Sequence, residues 1–189
     1  LLDAVVERIP APTGEIDEPL QALIFDSHFD SYRGVVSSVR VMNGQLRTGS
    51  KLKFMQAGVT HEAIEVGGRR PENTPVPALG PGEVGYLIAG IKDVGEARSG
   101  ETITEAARPA AEPLDGYMEP KPMVFCGLFP VDGDAFDDLR DALEKLRLND
   151  SSFTYEPEVS GALGFGFRVG YLGLLHLEIV RERLEREFD

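Results

Sequence analysis

Residues 26–34 combine side chains that could contact RNA. The stretch carries His28, Phe29, Tyr32 and Arg33 between two predicted strands. Aromatic rings can stack on unpaired bases, and a guanidinium group can pair with phosphate or lie over a ring. An ordinary polar hairpin tip with one buried aromatic ring would have the same residue types. The residues alone leave both interpretations open.

Phosphate and dinucleotide binding have no matching sequence motif. A phosphate loop needs Gly-x-x-x-x-Gly-Lys-Ser/Thr, which the sequence lacks, so we expect no GTP hydrolysis by this chain alone. The glycines of 164–170 follow Gly-x-Gly-x-x-x-Gly, one residue longer than the dinucleotide fingerprint, and they lie within a predicted strand. We expect them to allow close approach of a neighbouring backbone. The sequence therefore predicts neither a catalytic nor a cofactor-binding residue.

Metal binding is not predicted either. The acidic run 132–138 does not place Gly and Glu where a calcium loop needs them, and we expect Asp134 to cap a helix instead. The histidines have no partner at metal-ligand spacing; they are His28, His61 and His176. We expect His176 to be a partly buried histidine with one hydrogen bond. No Ser/His/Asp arrangement can be assembled from the sequence.

Cysteine content and charge limit the class of protein. Cys126 is the single cysteine, which excludes a disulfide framework, predicts core packing for this side chain and favours a reducing, cytoplasmic setting. The formal net charge of −13 argues against bulk phosphate binding. Residues 20–106 are nearly neutral and are the better candidate for RNA contact. Their cations include Arg33, Arg40, Arg47, Lys51, Lys53, Arg69 and Arg70.

The first part of the chain has the pattern of a small closed β-barrel. Residues 1–19 are interpreted as the end of an upstream helix and a Pro/Gly linker, and residues 20–106 as the barrel. Short apolar runs recur there between turn signals, and Asn43-Gly44 predicts a hairpin. The predicted strands are 20–25, 34–42, 51–54, 61–66 and 83–91.

The pattern changes after a second predicted linker, residues 107–120. Residues 121–189 predict the order β-α-β-β-α, a ferredoxin-like domain without its last strand. The first helix is predicted from a stripe at Phe136, Leu139, Leu143 and Leu146, and the second from Leu177, Val180, Leu184 and Phe188. The predicted strands are 123–130, 152–155 and 162–169. The fold class is thus mainly β plus α+β.

Several segments together resemble one family. Residues 173–179 read Gly-Leu-Leu-His-Leu-Glu-Ile, close to the Gly-Glu-Leu-His-Leu-Glu-Ile of elongation factor G and its relatives. Leu174, in place of Glu, favours the LepA (elongation factor 4) family of translational GTPases. Further similar segments are 25–36, 88–94, 121–132, 148–158 and 162–172. The resemblance covers essentially the whole chain and corresponds to the second and third domains of that family.

The resemblance implies a ribosome-binding module. Its barrel would rest on small-subunit RNA and ribosomal proteins, with Ser31, Tyr32, Arg33 and Gly34 as the expected contact, and its third domain would relay motion between the subunits. GTP and magnesium would bind upstream of this chain, and tRNA contact would lie downstream of it. The family is credited with back-translocation of tRNAs, or with initiation and subunit maturation. We expect a monomer in the cytoplasm, with peripheral association with the inner membrane as an alternative.

Two other functions are compatible with parts of the sequence. An acylphosphatase-like hydrolase would need an Arg in a phosphate-cradling loop and a nearby Asn, for which Arg140, Arg147 and Asn149 are the available residues. Both arginines lie on or at the end of a predicted helix. A carbohydrate- or peptide-binding barrel is a third reading, but the sequence contains no Trp for a binding platform.

Overall fold

The chain forms two compact units, 1–116 and 117–189, in a computed structural model. The structure describes residues 1–69, 71–117 and 120–188, so Arg70, part of the predicted second linker and Asp189 lie outside it. The division between the units falls within the predicted linker 107–120, whereas the predicted domain bounds themselves stay predictions. No helix among the described residues is long and apolar enough to span a membrane.

Unit 1 is mostly β-structure. A short helix, α1 (Leu2–Arg8), buries none of its side chains. The strands that follow are β1 (Gln21–Asp30), β2 (Gly34–Asn43), β3 (Leu46–Arg47), β4 (Lys51–Phe54), β5 (Thr60–Glu62), β6 (Glu65–Arg69), β7 (Asn73–Pro75), β8 (Ala78–Leu79), β9 (Val84–Ile88) and β10 (Thr102–Glu105).

The main sheet closes into a barrel. Its strand order is β5-β4-β10-β1-β2-β9-β6-β7. β5 pairs with β4, β6 pairs with β9, and only Ala63 and Ile64 separate β5 from β6. One stretch of chain therefore links β5, at one edge of the sheet, to β6, the neighbour of the other edge strand β7, as in the predicted barrel. The interior is apolar; β4 shows the expected alternation, with Leu52 and Phe54 buried and both lysines exposed.

Four local predictions for this unit were wrong or incomplete. The chain bends at Gly44, but the strands that flank the bend do not pair, because β2 pairs with β1 and β9 while β3 pairs with β8. The predicted strand 61–66 is two strands, since the chain changes pairing partner there. The predicted loop 26–34 is mostly strand, and only 31–33 form the turn. β10 was not predicted, although it joins β1 to β4.

Residues 107–116 belong to the barrel unit. Ala110 is buried, and its backbone N–H donates to Thr104 Oγ1 at 2.8 Å. The Leu114 N–H donates to Thr102 Oγ1 at 3.0 Å. Two buried threonine hydroxyls of β10 thus satisfy the backbone of the segment that leaves the barrel.

Unit 2 is an α+β layer. Its elements are β11 (Val124–Leu128), α2 (Phe136–Leu146), β12 (Thr154–Ser160), β13 (Gly164–Tyr171) and α3 (Leu174–Glu187). The sheet order β11-β13-β12 is that of the first three strands of a ferredoxin-like domain, which confirms the predicted β-α-β-β-α order. One face of the sheet packs on both helices through Leu143, Phe153, Phe167, Val169 and Val180. Cys126 is half-buried against this core.

The start of α2 differs from the prediction. Asp132, not Asp134, supplies the capping oxygen, which accepts a bond from the Asp134 N–H at 3.5 Å. A short 3-10 turn, Gly133–Ala135, intervenes, so the residue before α2 is Ala135, which has no side-chain cap. The acidic residues at Asp137 and Asp138 still lie in the first turn, where the helix dipole favours negative charge.

Candidate nucleic-acid interface

The predicted contact residues form the tip of the β1–β2 hairpin. Asp30 ends β1, and its Oδ1 accepts bonds from the N–H groups of Tyr32 at 2.8 Å and Arg33 at 2.9 Å. Both hydrogen bonds lower the pKa of Asp30, and the bond from Arg33 has the larger effect. The carboxylate therefore fixes the backbone of the turn and leaves the side chains of the tip free to point elsewhere.

Gly34 is the position at which the tip touches the rest of the barrel. Its φ of 76° lies in the left-handed region, and a Cβ there would be 2.5 Å from the carbonyl oxygen of Ile91. The next residue, Val35, donates its N–H to the same oxygen at 2.9 Å. Glycine is thus needed both for the turn and for close approach of the 90–92 loop.

The tip presents its aromatic and cationic groups to solvent. Tyr32 is 98% exposed, and the Arg33 side chain is about half exposed. Beside them lies an open depression of about 650 Å³, lined by apolar side chains, glycines and charged side chains. Its lining residues are Phe29, Ser31, Tyr32, Arg33, Gly34, Ile64, Glu65, Ile88, Gly90 and Lys92. We call this depression the tip groove.

Glu65 is the acidic residue of the tip groove. Its Oε1 accepts a bond from the Tyr86 hydroxyl at 2.7 Å and lies 3.9 Å from Arg33 Nη1. Burial, with the hydrogen bond to Glu65 as a second cause, raises the pKa of Tyr86 to about 12. The phenol therefore stays protonated and remains a donor to Glu65 at neutral pH.

Ser31, Tyr32, Arg33 and Gly34 are thus brought together, but they are only part of the groove. The sequence did not predict Phe29 as a wall, nor the residues that arrive from β6 and the loop after β9. Ile64, Glu65 and Lys92 lie far from the tip in sequence and have no shared motif, so only the barrel closure reveals them.

A second polar cluster, which the sequence did not predict, lies in unit 2. His176 Nε2 is 2.9 Å from Asp150 Oδ2 and 3.4 Å from Ser152 Oγ, while Nδ1 accepts a bond from the Leu172 N–H at 3.0 Å. The prediction of a single hydrogen bond for His176 was therefore wrong. Because Nδ1 is an acceptor, Nε2 carries the proton and donates to Asp150.

This cluster does not have the geometry of a nucleophilic triad. A triad places the serine and the carboxylate on opposite ring nitrogens, whereas here both lie at Nε2. The Ser152 hydroxyl also donates to Asp150 Oδ1. Burial raises the pKa of Asp150, but the bonds from Ser152 and His176 outweigh it, so the net pKa is lowered. The cluster ties the start of α3 to the loop after α2.

The other predicted chemistry-bearing residues have structural contacts. Arg140 pairs with Asp137 at 3.0 Å, the Arg147 guanidinium lies over the Tyr155 ring at 5.9 Å, and Asn149 Oδ1 accepts from Arg183 at 2.8 Å. Residues 164–170 lie within β13, where Cβ atoms at Gly166 and Gly170 would clash with neighbouring phenylalanine rings. In the part of the chain that the structure describes, no group of three or more His, Cys, Asp or Glu could hold a metal ion.

The two remaining histidines differ in environment. His61 Nε2 is 2.8 Å from Glu96 Oε2, and its ring meets the Phe54 ring edge-on at 5.6 Å between centroids. His28 is exposed on β1, close to the hairpin tip. Neither arrangement provides a set of metal ligands.

Comparison with known proteins identifies the barrel. Residues 34–104 match the family model described as elongation factor Tu domain 2. A crystal structure of a protein from Thermus thermophilus superposes with a TM-score of 0.73 over 97% of this chain and 27% of that one. Its 24% sequence identity shows a shared fold.

Curated relatives align along the whole chain. It is 61% identical over 189 residues to elongation factor 4 of Thermobifida fusca, and 59% identical to that of Cutibacterium acnes. The elongation factor 4 of Thermosynechococcus vestitus is 58% identical over the same length. The chain spans about 31% of the length of each of these relatives. From end to end, the chain is therefore similar to one segment of proteins named elongation factor 4 (LepA).

Proposed function

We propose that this chain is the ribosome-binding and relay portion of a translational GTPase of the LepA type. The observation that carries the proposal is the identity of about 60% to proteins named elongation factor 4, maintained over all 189 residues. In this proposal unit 1 docks on the small ribosomal subunit, and unit 2 transmits movement during back-translocation. The protein acts as a monomer in the cytoplasm, and contacts to tRNA belong to other parts of the protein.

GTP hydrolysis is assigned to a part of the protein outside these 189 residues. GTP and magnesium would need a phosphate loop and oxygen ligands for the metal. The sequence has no such loop, and the described residues form no metal-ligand cluster. No step of hydrolysis is therefore assigned to residues of this chain.

The hairpin tip is the proposed contact with small-subunit RNA. A net charge of −13 opposes broad electrostatic attachment to RNA, so binding must rely on a local site. At the tip, Tyr32 offers an exposed ring for stacking, and Arg33 offers a cation beside it. Lys92 adds a second cation at the edge of the tip groove.

Unit 2 suits a different partner. Acidic residues outnumber basic ones in its sequence, and α3 carries i,i+4 ion pairs between Arg181 and Glu185 and between Arg183 and Glu187. Acidic surfaces complement basic proteins and repel RNA. We therefore assign contacts with basic ribosomal proteins to unit 2.

Co-sedimentation with small ribosomal subunits tests the assignment of the tip. We expect Arg33→Glu to reduce the bound fraction about tenfold, because it replaces a phosphate-pairing cation by an anion. The matched control is Lys53→Glu, the same charge change on an exposed position of β4. Equal sedimentation of both variants and the unaltered chain would remove the tip from the interface. Loss with both variants would instead indicate an effect of net charge.

A further inference from the structure

Glu65 is an unexpected residue in a groove that is proposed to bind phosphate. It lines the tip groove together with the cations Arg33 and Lys92, and it faces Arg33 at 3.9 Å. A carboxylate there repels an incoming phosphate and competes for the guanidinium group. The following inference rests on the proposed contact of the tip with RNA and concerns what kind of ligand the groove prefers.

The carboxylate is held in place from behind. Tyr86 is fully buried, and its hydroxyl donates to Glu65 Oε1 at 2.7 Å. The Tyr86 ring lies across β6 at Gly67, where an added Cβ would be 2.4 Å from the ring. The ring fills the space above a glycine and its hydroxyl holds Glu65 Oε1, which lies 3.9 Å from Arg33 Nη1 in the lining of the tip groove.

The carboxylate of Glu65 and the guanidinium of Arg33 together favour one kind of ligand. Phosphate oxygens only accept hydrogen bonds, so they can pair with Arg33 but offer no donor to Glu65 and bring a second negative charge next to its carboxylate. A ligand fits both groups when it carries a hydroxyl donor close to its phosphate. The ribose 2′-hydroxyl is such a donor, and it is the group by which a protein can distinguish RNA from DNA. Acidic side chains bind ribose hydroxyls in the same way in dinucleotide sites.

We propose that Glu65 is the specificity-determining residue of the tip groove, accepting a hydrogen bond from a ribose 2′-hydroxyl while Arg33 binds the adjacent phosphate. The groove then selects single-stranded RNA over DNA of the same sequence. The apolar side chains of Phe29, Ile64 and Ile88 in the groove lining accommodate the base or sugar face. Glu65 contributes selectivity at the expense of raw affinity for anions.

Fluorescence anisotropy with the 189-residue chain tests this at low salt. The probes are single-stranded RNA and DNA of one sequence, about 12 nucleotides long. We expect RNA to bind about 3- to 10-fold more tightly than DNA, the contribution of one hydrogen bond. In Glu65→Gln the Tyr86 hydroxyl occupies Oε1 and the amide NH₂ faces the groove. That group donates to phosphate, so DNA affinity should rise and the RNA/DNA ratio should fall toward one.

Two further variants complete the experiment. Glu62→Gln makes the same change on β5, on the same stretch of chain but outside the groove lining, and should keep the RNA/DNA ratio of the unaltered chain. Arg33→Glu should weaken binding of both probes. Unfolding midpoints of all variants are compared to confirm that each one folds.

The outcomes separate the inference from the proposed function. If Arg33→Glu weakens RNA binding but Glu65→Gln keeps the ratio, the selectivity role is refuted and the tip remains a binding site. An unaltered chain that binds RNA and DNA equally also refutes the role of Glu65. If Arg33→Glu leaves RNA binding unchanged, or if the chain does not bind RNA, both the tip assignment and the selectivity are wrong.

Discussion

Replacing His176 by alanine removes the hydrogen bonds and the ring contact of its imidazole from unit 2 at once. The imidazole is only 13% exposed; it donates to Asp150, accepts from the Leu172 backbone and packs edge-on against Tyr171 with centroids 5.8 Å apart. A hydrogen bond to a charged group contributes about 1.5 to 3 kcal/mol, and an aromatic edge contact about 0.5 to 1.5 kcal/mol. Since Ser152 still satisfies part of the carboxylate, we expect a loss of about 2 to 4 kcal/mol in the free energy of unfolding.

Urea unfolding followed by circular dichroism measures this loss. The matched control is His28→Ala, because that histidine is exposed on β1 and its removal should change the free energy by less than about 0.5 kcal/mol. Hydrogen exchange locates the effect: amides at the start of α3 and in the loop around Asp150 should lose protection first in His176→Ala. A cost no larger than that of His28→Ala would refute the view that the cluster joins α3 to this loop.

The same cluster predicts how stability depends on pH. The pKa of Asp150 is lowered in the folded state, so its contribution is complete above the ordinary value of 3.8 and is lost as the pH falls below that value. Asp150→Asn should therefore destabilise the chain at neutral pH and converge with the unaltered chain in acid. The reasoning is contradicted if the difference in unfolding free energy between Asp150→Asn and the unaltered chain stays constant or grows as the pH falls below 3.8.

Three further predictions concern unit 1 and the tyrosines. Gly67→Ala should cost about 1 to 3 kcal/mol in urea unfolding, because its Cβ would be 2.4 Å from the Tyr86 ring; Gly68→Ala, with nothing within 4 Å, is the control. Glu101→Gln should cost about 1 to 3 kcal/mol and increase exchange at the amide of Gln56 or of Ala57, because each carboxylate oxygen accepts one of these N–H groups, at 2.8 and 3.0 Å, and glutamine has one acceptor oxygen in place of two; unchanged protection of both amides would refute it. Burial raises the pKa values of Tyr86 and Tyr171 to about 12, so ultraviolet titration should show two phenols ionising there, one of which shifts downward in Glu65→Gln.

Much of the fold followed from local pattern. The helices α2 and α3 were predicted from apolar residues spaced three and four apart, and β4 from strict alternation. These signals are local, because each element needs one apolar face wherever its partner lies. One error arose where a continuous stretch changes its pairing partner. The sequence of residues 60–69 contains no local signal that its first half pairs with β4 and its second half with β9.

The functional residues, too, were predicted from the sequence only in part. The tip residues are adjacent in sequence, so their aromatic and cationic character was visible directly. The network of Asp150, Ser152 and His176 was not visible, because the carboxylate and the imidazole are 26 positions apart in the sequence. Residue types alone cannot show which of many carboxylates a histidine will meet.

The amino-acid order was sufficient to predict the likeness to elongation factor 4, the β-barrel followed by an α+β unit, and the chemical character of the hairpin tip. Those properties reside in contiguous motifs and in the periodicity of apolar residues. Tertiary structure alone decided that Glu65 and Lys92 join the tip groove, that Tyr86 holds Glu65 across Gly67, and that His176 connects α3 to the loop after α2. These contacts depend on barrel closure and helix packing, which bring together residues that local sequence preferences do not relate.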